Sequence, residues 1–111
     1  MHETASRTEP ASFKAQCENL RNFLQSAVKE FRTGEDGAGI ENLLSAAAEL
    51  ENLVETDQNS PQPKIELTRL FPIVRRLKVY LINQDIAGLA DLLEDTFFPL
   101  TEEWLKESES A

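Results

Sequence analysis

The sequence predicts an all-α protein, an antiparallel up-down four-helix bundle. Three observations carry this. Apolar residues recur at alternating spacings of three and four in four separate blocks, no stretch sustains the period of two that a strand needs, and the blocks are of matched length. The first block is Phe13, Cys17, Leu20, Leu24, Ala27 and Phe31. The second is Ile40, Leu43, Ala47, Leu50 and Val54. The third is Leu67, Leu70, Val74, Leu77 and Leu81. The fourth is Ile86, Leu89, Leu93, Phe97, Leu100 and Trp104. A mean repeat of about 3.5 keeps one seam facing its neighbours under slight supercoiling. Each helix is expected to span about 20 residues, or about 30 Å, and matched lengths suit a bundle.

The breaks between blocks agree. Thr33-Gly34 ends the first helix, with Gly34 able to take the left-handed conformation at its C-terminal cap. Glu35 and Asp36 place negative charge at the start of the second, where the helix dipole favours it. The run Thr56 to Pro63 reads as a polar loop, and Asn83-Gln84-Asp85 as a short turn with Asp85 capping helix four. Pro72 and Pro99 fall inside the third and fourth blocks. A proline removes a backbone donor and crowds the carbonyl four residues back, at about 3 kcal/mol in a regular helix. The apolar period continues through both, so kinks are predicted rather than stops. The alternative at Pro72 is that helix three begins there and residues 64–71 form a separate turn.

The chain has 111 residues, enough for one domain. It divides into a leader at 1–11, a bundle at 12–107 and a tail at 108–111. Its lone cysteine, Cys17, rules out an internal disulfide and fits a reducing compartment. No apolar run reaches the ~18 residues of a membrane span, and residues 1–11 lack the apolar core of a secretory signal. The expectation is a cytoplasmic protein with no membrane association. A formal charge of −9 repels phosphate backbones, so nucleic acid is not an expected partner.

Residues for chemistry are scarce. The single histidine, His2, lies in the leader, so a mid-helix phosphorelay histidine, a Glu-x-x-His metal pair and a multi-ligand zinc site are all missing. Cys17 occupies an apolar helical position and reads as a small buried hydrophobe. Gly34, Gly37 and Gly39 lack the order and flanking strand of a phosphate-binding loop. No catalytic, cofactor-binding or metal-binding residue is assigned. Glu94, Asp95, Glu102 and Glu103 are the carboxylates that would serve an alternative metal-dependent enzyme, but they fall mainly outside the apolar stripe.

Two features point to binding. Residues 35–57 carry seven acidic side chains and no Lys or Arg, and residues 85–109 are acidic apart from Lys106. Between them, residues 64–78 hold Lys64, Arg69, Arg75, Arg76 and Lys78 against Glu66 alone. The preferred reading is intramolecular, with a basic helix packed between acidic ones. The other is a basic strip centred on Arg75, Arg76 and Lys78 that docks an acidic partner. The second feature is an apolar surplus. Beyond their seams, helix three adds Phe71, Ile73, Val79, Tyr80 and Ile82, and helix four adds Leu92, Phe98 and Leu105. One core needs about three apolar residues per heptad. Phe98 and Leu105 are expected to point away from the seam, and with Tyr80 and Ile82 they are the candidate contacts for a partner.

The run Asp85-Ile86-Ala87-Gly88-Leu89-Ala90-Asp91-Leu92-Leu93-Glu94-Asp95, followed by Phe98-Pro99-Leu100 and Glu103-Trp104, resembles the C-terminal half of a family of small uncharacterised bacterial helical proteins. Its pattern is D-x-x-x-L-A-D-L-L-E leading to P-L-x-x-W, with a tyrosine often standing where this chain has Asp95. The resemblance covers about a fifth of the chain. It implies a bacterial cytoplasmic protein without a defined activity, and an adaptor or secretion-associated chaperone by association. The expected function is therefore a non-enzymatic helical interaction module, binding a protein partner or a second copy through helices three and four, with Arg75 and Arg76 steering. A structural subunit of a larger assembly is the third alternative.

Overall fold

The computed structural model describes residues 12–110, so the leader and the last residue lie outside the described residues. Among the described residues the chain is all-helical, with no strand. The elements are α1 (Phe13–Arg32), α2 (Asp36–Gln58), α3 (Leu67–Ile82), α4 (Ile86–Leu92), a π-helical turn (Leu93–Phe97) and α5 (Phe98–Ser110). The last three run on without a break and form the fourth helix.

α1 starts where Ser12, in extended conformation, accepts a hydrogen bond from the Ala15 backbone N–H at 3.1 Å. It buries Gln16, Cys17, Leu20, Leu24, Ala27 and Phe31, so its predicted stripe is its core face. α1 is the central element: it packs along α2 on one side and against the fourth helix on the other. α2 buries Gly39, Leu43, Ala46, Leu53 and Asp57. That face is rotated by about one residue from the predicted one, and Ala47 is exposed. The Leu43-Leu44 pair and the Ala46-Ala47-Ala48 run fit more than one phase, and packing on α1 selects among them.

Both short connections have the same geometry. After α1 the N–H groups of Glu35 and Gly34 donate to the carbonyls of Glu30 and Phe31, at 2.8 and 3.4 Å, with Gly34 at φ 84°. After α3 the N–H groups of Asp85 and Gln84 donate to Tyr80 and Leu81, at 2.9 and 3.1 Å, with Gln84 at φ 55°. This paired bonding is the Schellman motif, which needs one left-handed residue. The predicted roles of Gly34 and Asp85 hold, and Asp85 also accepts the Gly88 N–H at 2.9 Å. Gln84 holds its place at the cost a side chain meets in that region. Gln84→Gly should therefore stabilise the fold by roughly 0.5–1 kcal/mol in urea unfolding; a loss would refute the strain at this turn.

The connection between α2 and α3 is held from inside. α2 runs on to Gln58, past the predicted loop start, which brings Asp57 to a buried position. Its carboxylate accepts the backbone N–H groups of Lys64 and Ile65 at 2.8 and 2.9 Å. α3 then starts at Leu67, so Pro72 lies inside the helix and the alternative start near Pro72 is excluded.

Pro99 is accommodated differently. It follows directly on the π turn, where the Phe98 N–H donates to Leu93 rather than to the carbonyl one residue later. The inserted residue changes the hydrogen-bond ladder just where proline lacks a donor. It also shifts the helical phase. Beyond it Leu100, Thr101, Trp104 and Leu105 are all buried. Leu105, expected to point away from the seam, is 6 % exposed and part of the core. An unbroken α-helical wheel cannot anticipate that shift.

Candidate interaction surface

α3 is the least embedded of the long helices. It approaches α4 closely and makes little or no close backbone approach to α1 or α2. Leu70 is its single fully buried residue. Leu67, Ile73, Leu77, Tyr80 and Leu81 are half-buried against the core. Three of the five surplus apolar residues remain outside: Phe71 is 53 % exposed, Val79 50 % and Ile82 72 %, and Val74 of the predicted seam is also exposed.

The gap between α2 and α3 is an apolar groove of about 480 Å³. Ala47, Leu50 and Val54 form one wall, and Leu70, Phe71 and Val74 the other, with Glu51 at the α2 edge. Leu44 is 60 % exposed on α2. Helical spacing places it in a stripe with Glu41, Ala48, Glu51 and Glu55, at steps of three, four, three and four. A matching stripe on α3 runs Phe71, Arg75, Lys78, Ile82, at steps of four, three and four. On the flank of α3, Pro72, Arg75, Arg76, Val79 and Tyr80 line a shallower concavity of about 340 Å³.

The electrostatics separate the helices into matched and unmatched sets. Four carboxylates of the fourth helix pair with arginines. Arg21 of α1 pairs with Glu102 at 3.1 Å, and Arg32 with both Asp91 and Glu94 at 2.9 and 2.7 Å. Arg69 of α3 makes a two-pronged pair with Glu103, at 2.9 and 3.1 Å. Those hydrogen bonds hold the Glu103 carboxyl below its ordinary range and raise Arg69. In contrast, Arg75, Arg76 and Lys78 are exposed and make no ion pair among the described residues. Intramolecular pairing, the preferred sequence reading of the basic helix, thus accounts for Arg69 and not for these three. Glu41, Glu49, Glu51 and Glu55 of α2 also lack an ion pair among the described residues.

The six residues singled out from sequence do not form one site. Arg75, Arg76 and Tyr80 share the flank of α3, and Ile82 lies at the end of the same helix. Tyr80 is half-buried with its ring against Gly88, where an added Cβ would come within 2.8 Å of the ring. Phe98 is half-buried beside Gln25 and Val28, and Leu105 is in the core. The α2 wall is made of Ala47, Leu50 and Val54, which the sequence reading assigns to the seam rather than to a surface. The signal for an open face is Leu44, an apolar residue outside the second block, in a helix whose charges are all of one sign.

Other places offer less. A cleft of about 440 Å³ near Trp104 is crossed by the Arg69–Glu103 pair. Among the described residues no group of three or more His, Cys, Asp or Glu side chains could hold a metal ion. Cys17 is fully buried, and burial, with the Asp57 and Glu18 carboxylates nearby, pushes its thiol from 9.0 up to about 12. It stays protonated at neutral pH and is a poor nucleophile. No described helix is long and apolar enough to cross a membrane. Comparison with known proteins finds no matching family model, no matching curated protein and no matching solved structure.

Proposed function

We propose that the protein is a non-enzymatic interaction module, an up-down arrangement of helices that docks a protein through the open face of α2 and α3. One observation carries the reading: α3 leaves Phe71 and Val74 exposed in the wall of an apolar groove, and Val79 and Ile82 exposed farther along the helix. Scattered surface apolar residues are ordinary, but exposed apolar side chains interleaved with unpaired charge beside an apolar groove are the anatomy of a binding surface. The unpaired Arg75, Arg76 and Lys78 add charge that steers encounter. This reading moves the contact surface from the predicted helices three and four to helices two and three.

The test uses two baits immobilised side by side in native lysate. The Phe71→Glu/Val74→Glu bait should lose most of what the wild-type chain retains, whether another protein or untagged copies of itself. Both positions are exposed, so circular dichroism should show the fold intact. A Gln25→Glu control, exposed on α1, should retain it. Equal retention by wild type and the double variant would refute the groove as the docking site.

A further inference from the structure

We propose that the occupant of this face is a second copy of the chain, related by a twofold axis that lays α3 of each copy along α2 of the other. The inference rests on the reading of that face as a docking surface, and it names the partner. Its basis is charge left unmatched on the exposed faces of the two helices that border the groove, with Glu51 and Phe71 at the groove itself. The α2 stripe, Glu41, Leu44, Ala48, Glu51 and Glu55, is apolar at its centre and acidic around it. The α3 stripe, Phe71, Arg75, Lys78 and Ile82, is apolar at its ends and basic between them. At 1.5 Å per residue the stripes are about 21 and about 17 Å long. The seven residues from Leu44 to Glu51 equal those from Phe71 to Lys78 and from Ile82 to Arg75, so an apolar end of the α3 stripe set on Leu44 brings a basic side chain level with Glu51.

No ion pair joins α2 to α3 within the chain among the described residues. A twofold operation supplies what the single copy lacks. It sets basic α3 on acidic α2 twice, in one self-complementary contact. A uniformly acidic partner would suit Arg75 and Lys78 but meet repulsion from Glu41, Glu51 and Glu55, and a uniformly basic partner would do the reverse. The leader offers no better occupant: residues 1–11 contain Met1, Pro10, two alanines and otherwise polar side chains, with no large aliphatic or aromatic anchor. Each copy carries −9, but that long-range repulsion is screened beyond about 8 Å at physiological salt.

The experiment is a charge swap followed by light scattering. The full-length chain should have twice its 12.5 kDa mass at ~100 μM. Variant one, Arg75→Glu/Lys78→Glu, makes both contacts acid on acid. Variant two, Glu41→Lys/Glu51→Lys, makes both base on base. Each alone should dissociate with a Kd raised about a hundredfold. Mixed in equal amounts, they should form a one-to-one heterodimer, because each reversed helix then meets an opposite charge. All four positions are solvent-exposed or at the groove edge, and circular dichroism checks the fold of each variant.

A monomeric wild type at ~100 μM would overturn the inference. So would variants that dimerise as the wild type does, or a mixture that stays monomeric. If the wild type is monomeric but the Phe71→Glu/Val74→Glu bait still loses a retained protein, the docking surface stands and the second copy does not.

Discussion

Asp57→Ala should destabilise the protein by about 3 kcal/mol, with a fall in Tm of roughly 15 °C. The carboxylate is 3 % exposed and accepts two backbone N–H groups of the following loop, Lys64 and Ile65, as well as the Gln58 side-chain amide. Alanine removes a charged acceptor and strands those donors, and Ile65 is itself buried. A donor left unsatisfied in the interior costs about 1–3 kcal/mol, and bonds to a charged group contribute more than neutral ones. Asp57→Asn keeps one oxygen in place and should lose roughly half as much. Urea unfolding decides it: a loss below about 1 kcal/mol for alanine would mean that water replaces the carboxylate.

Two glycines two residues apart should respond with opposite sign. A Cβ on Gly39 would lie 2.5 and 2.6 Å from ring atoms of Phe31, which is itself buried between α1 and α2. A Cβ on Gly37 meets nothing within 4 Å. Alanine gains up to about 1 kcal/mol over glycine within a helix, whereas overpacking a core costs about 1–3 kcal/mol. At Gly37 the first effect acts alone, so Gly37→Ala should be neutral to stabilising by a few tenths of a kcal/mol in this first turn. At Gly39 the ring cannot leave without opening the α1–α2 seam. Gly39→Ala should therefore lose about 1–2 kcal/mol, and Gly39→Val about 3 kcal/mol, since its branched side chain also loses rotamer freedom. Equal effects at the two positions in chemical denaturation would show that Phe31 moves freely.

These positions mark where the sequence is and is not legible. α1 is legible because its stripe has a single clear phase: Cys17 to Phe31 are buried, and Phe13 at its start is half-buried against the core. Gly34 and Asp85 are legible because local chemistry restricts who can occupy such turns. The second Schellman turn is not, since Gln84 stands where glycine is usual. Asp57 looks like one more acid in an acidic helix; its role depends on where the chain returns seven and eight residues later. Leu105 was misplaced because the π turn ahead of Pro99 adds a step that periodicity does not register. The candidate surface was half legible. The excess of apolar residues on α3 is visible in the sequence, but that Phe71 and Ile82 stay outside while Leu105 goes in depends on which helices lie close. The charge pattern was legible as a pattern. Which arginines find partners follows from the fourth helix receiving Arg21 and Arg32 from α1, which no spacing announces.

The slender seating of α3 sets the order in which the molecule comes apart. Opening cost scales with the apolar contact released, and segments with little of it open well below the global threshold. α1, α2 and the fourth helix share most of the interior, whereas α3 contributes Leu70 and a fringe of half-covered side chains. Excursions that lift α3 away therefore precede general melting, with the Asp57 clasp at one end and the Gln84 turn at the other acting as the two pivots. Anything that settles on α3 would suppress those excursions, so local order in this part of the chain would be governed by occupancy, and for a self-associating molecule by its own abundance.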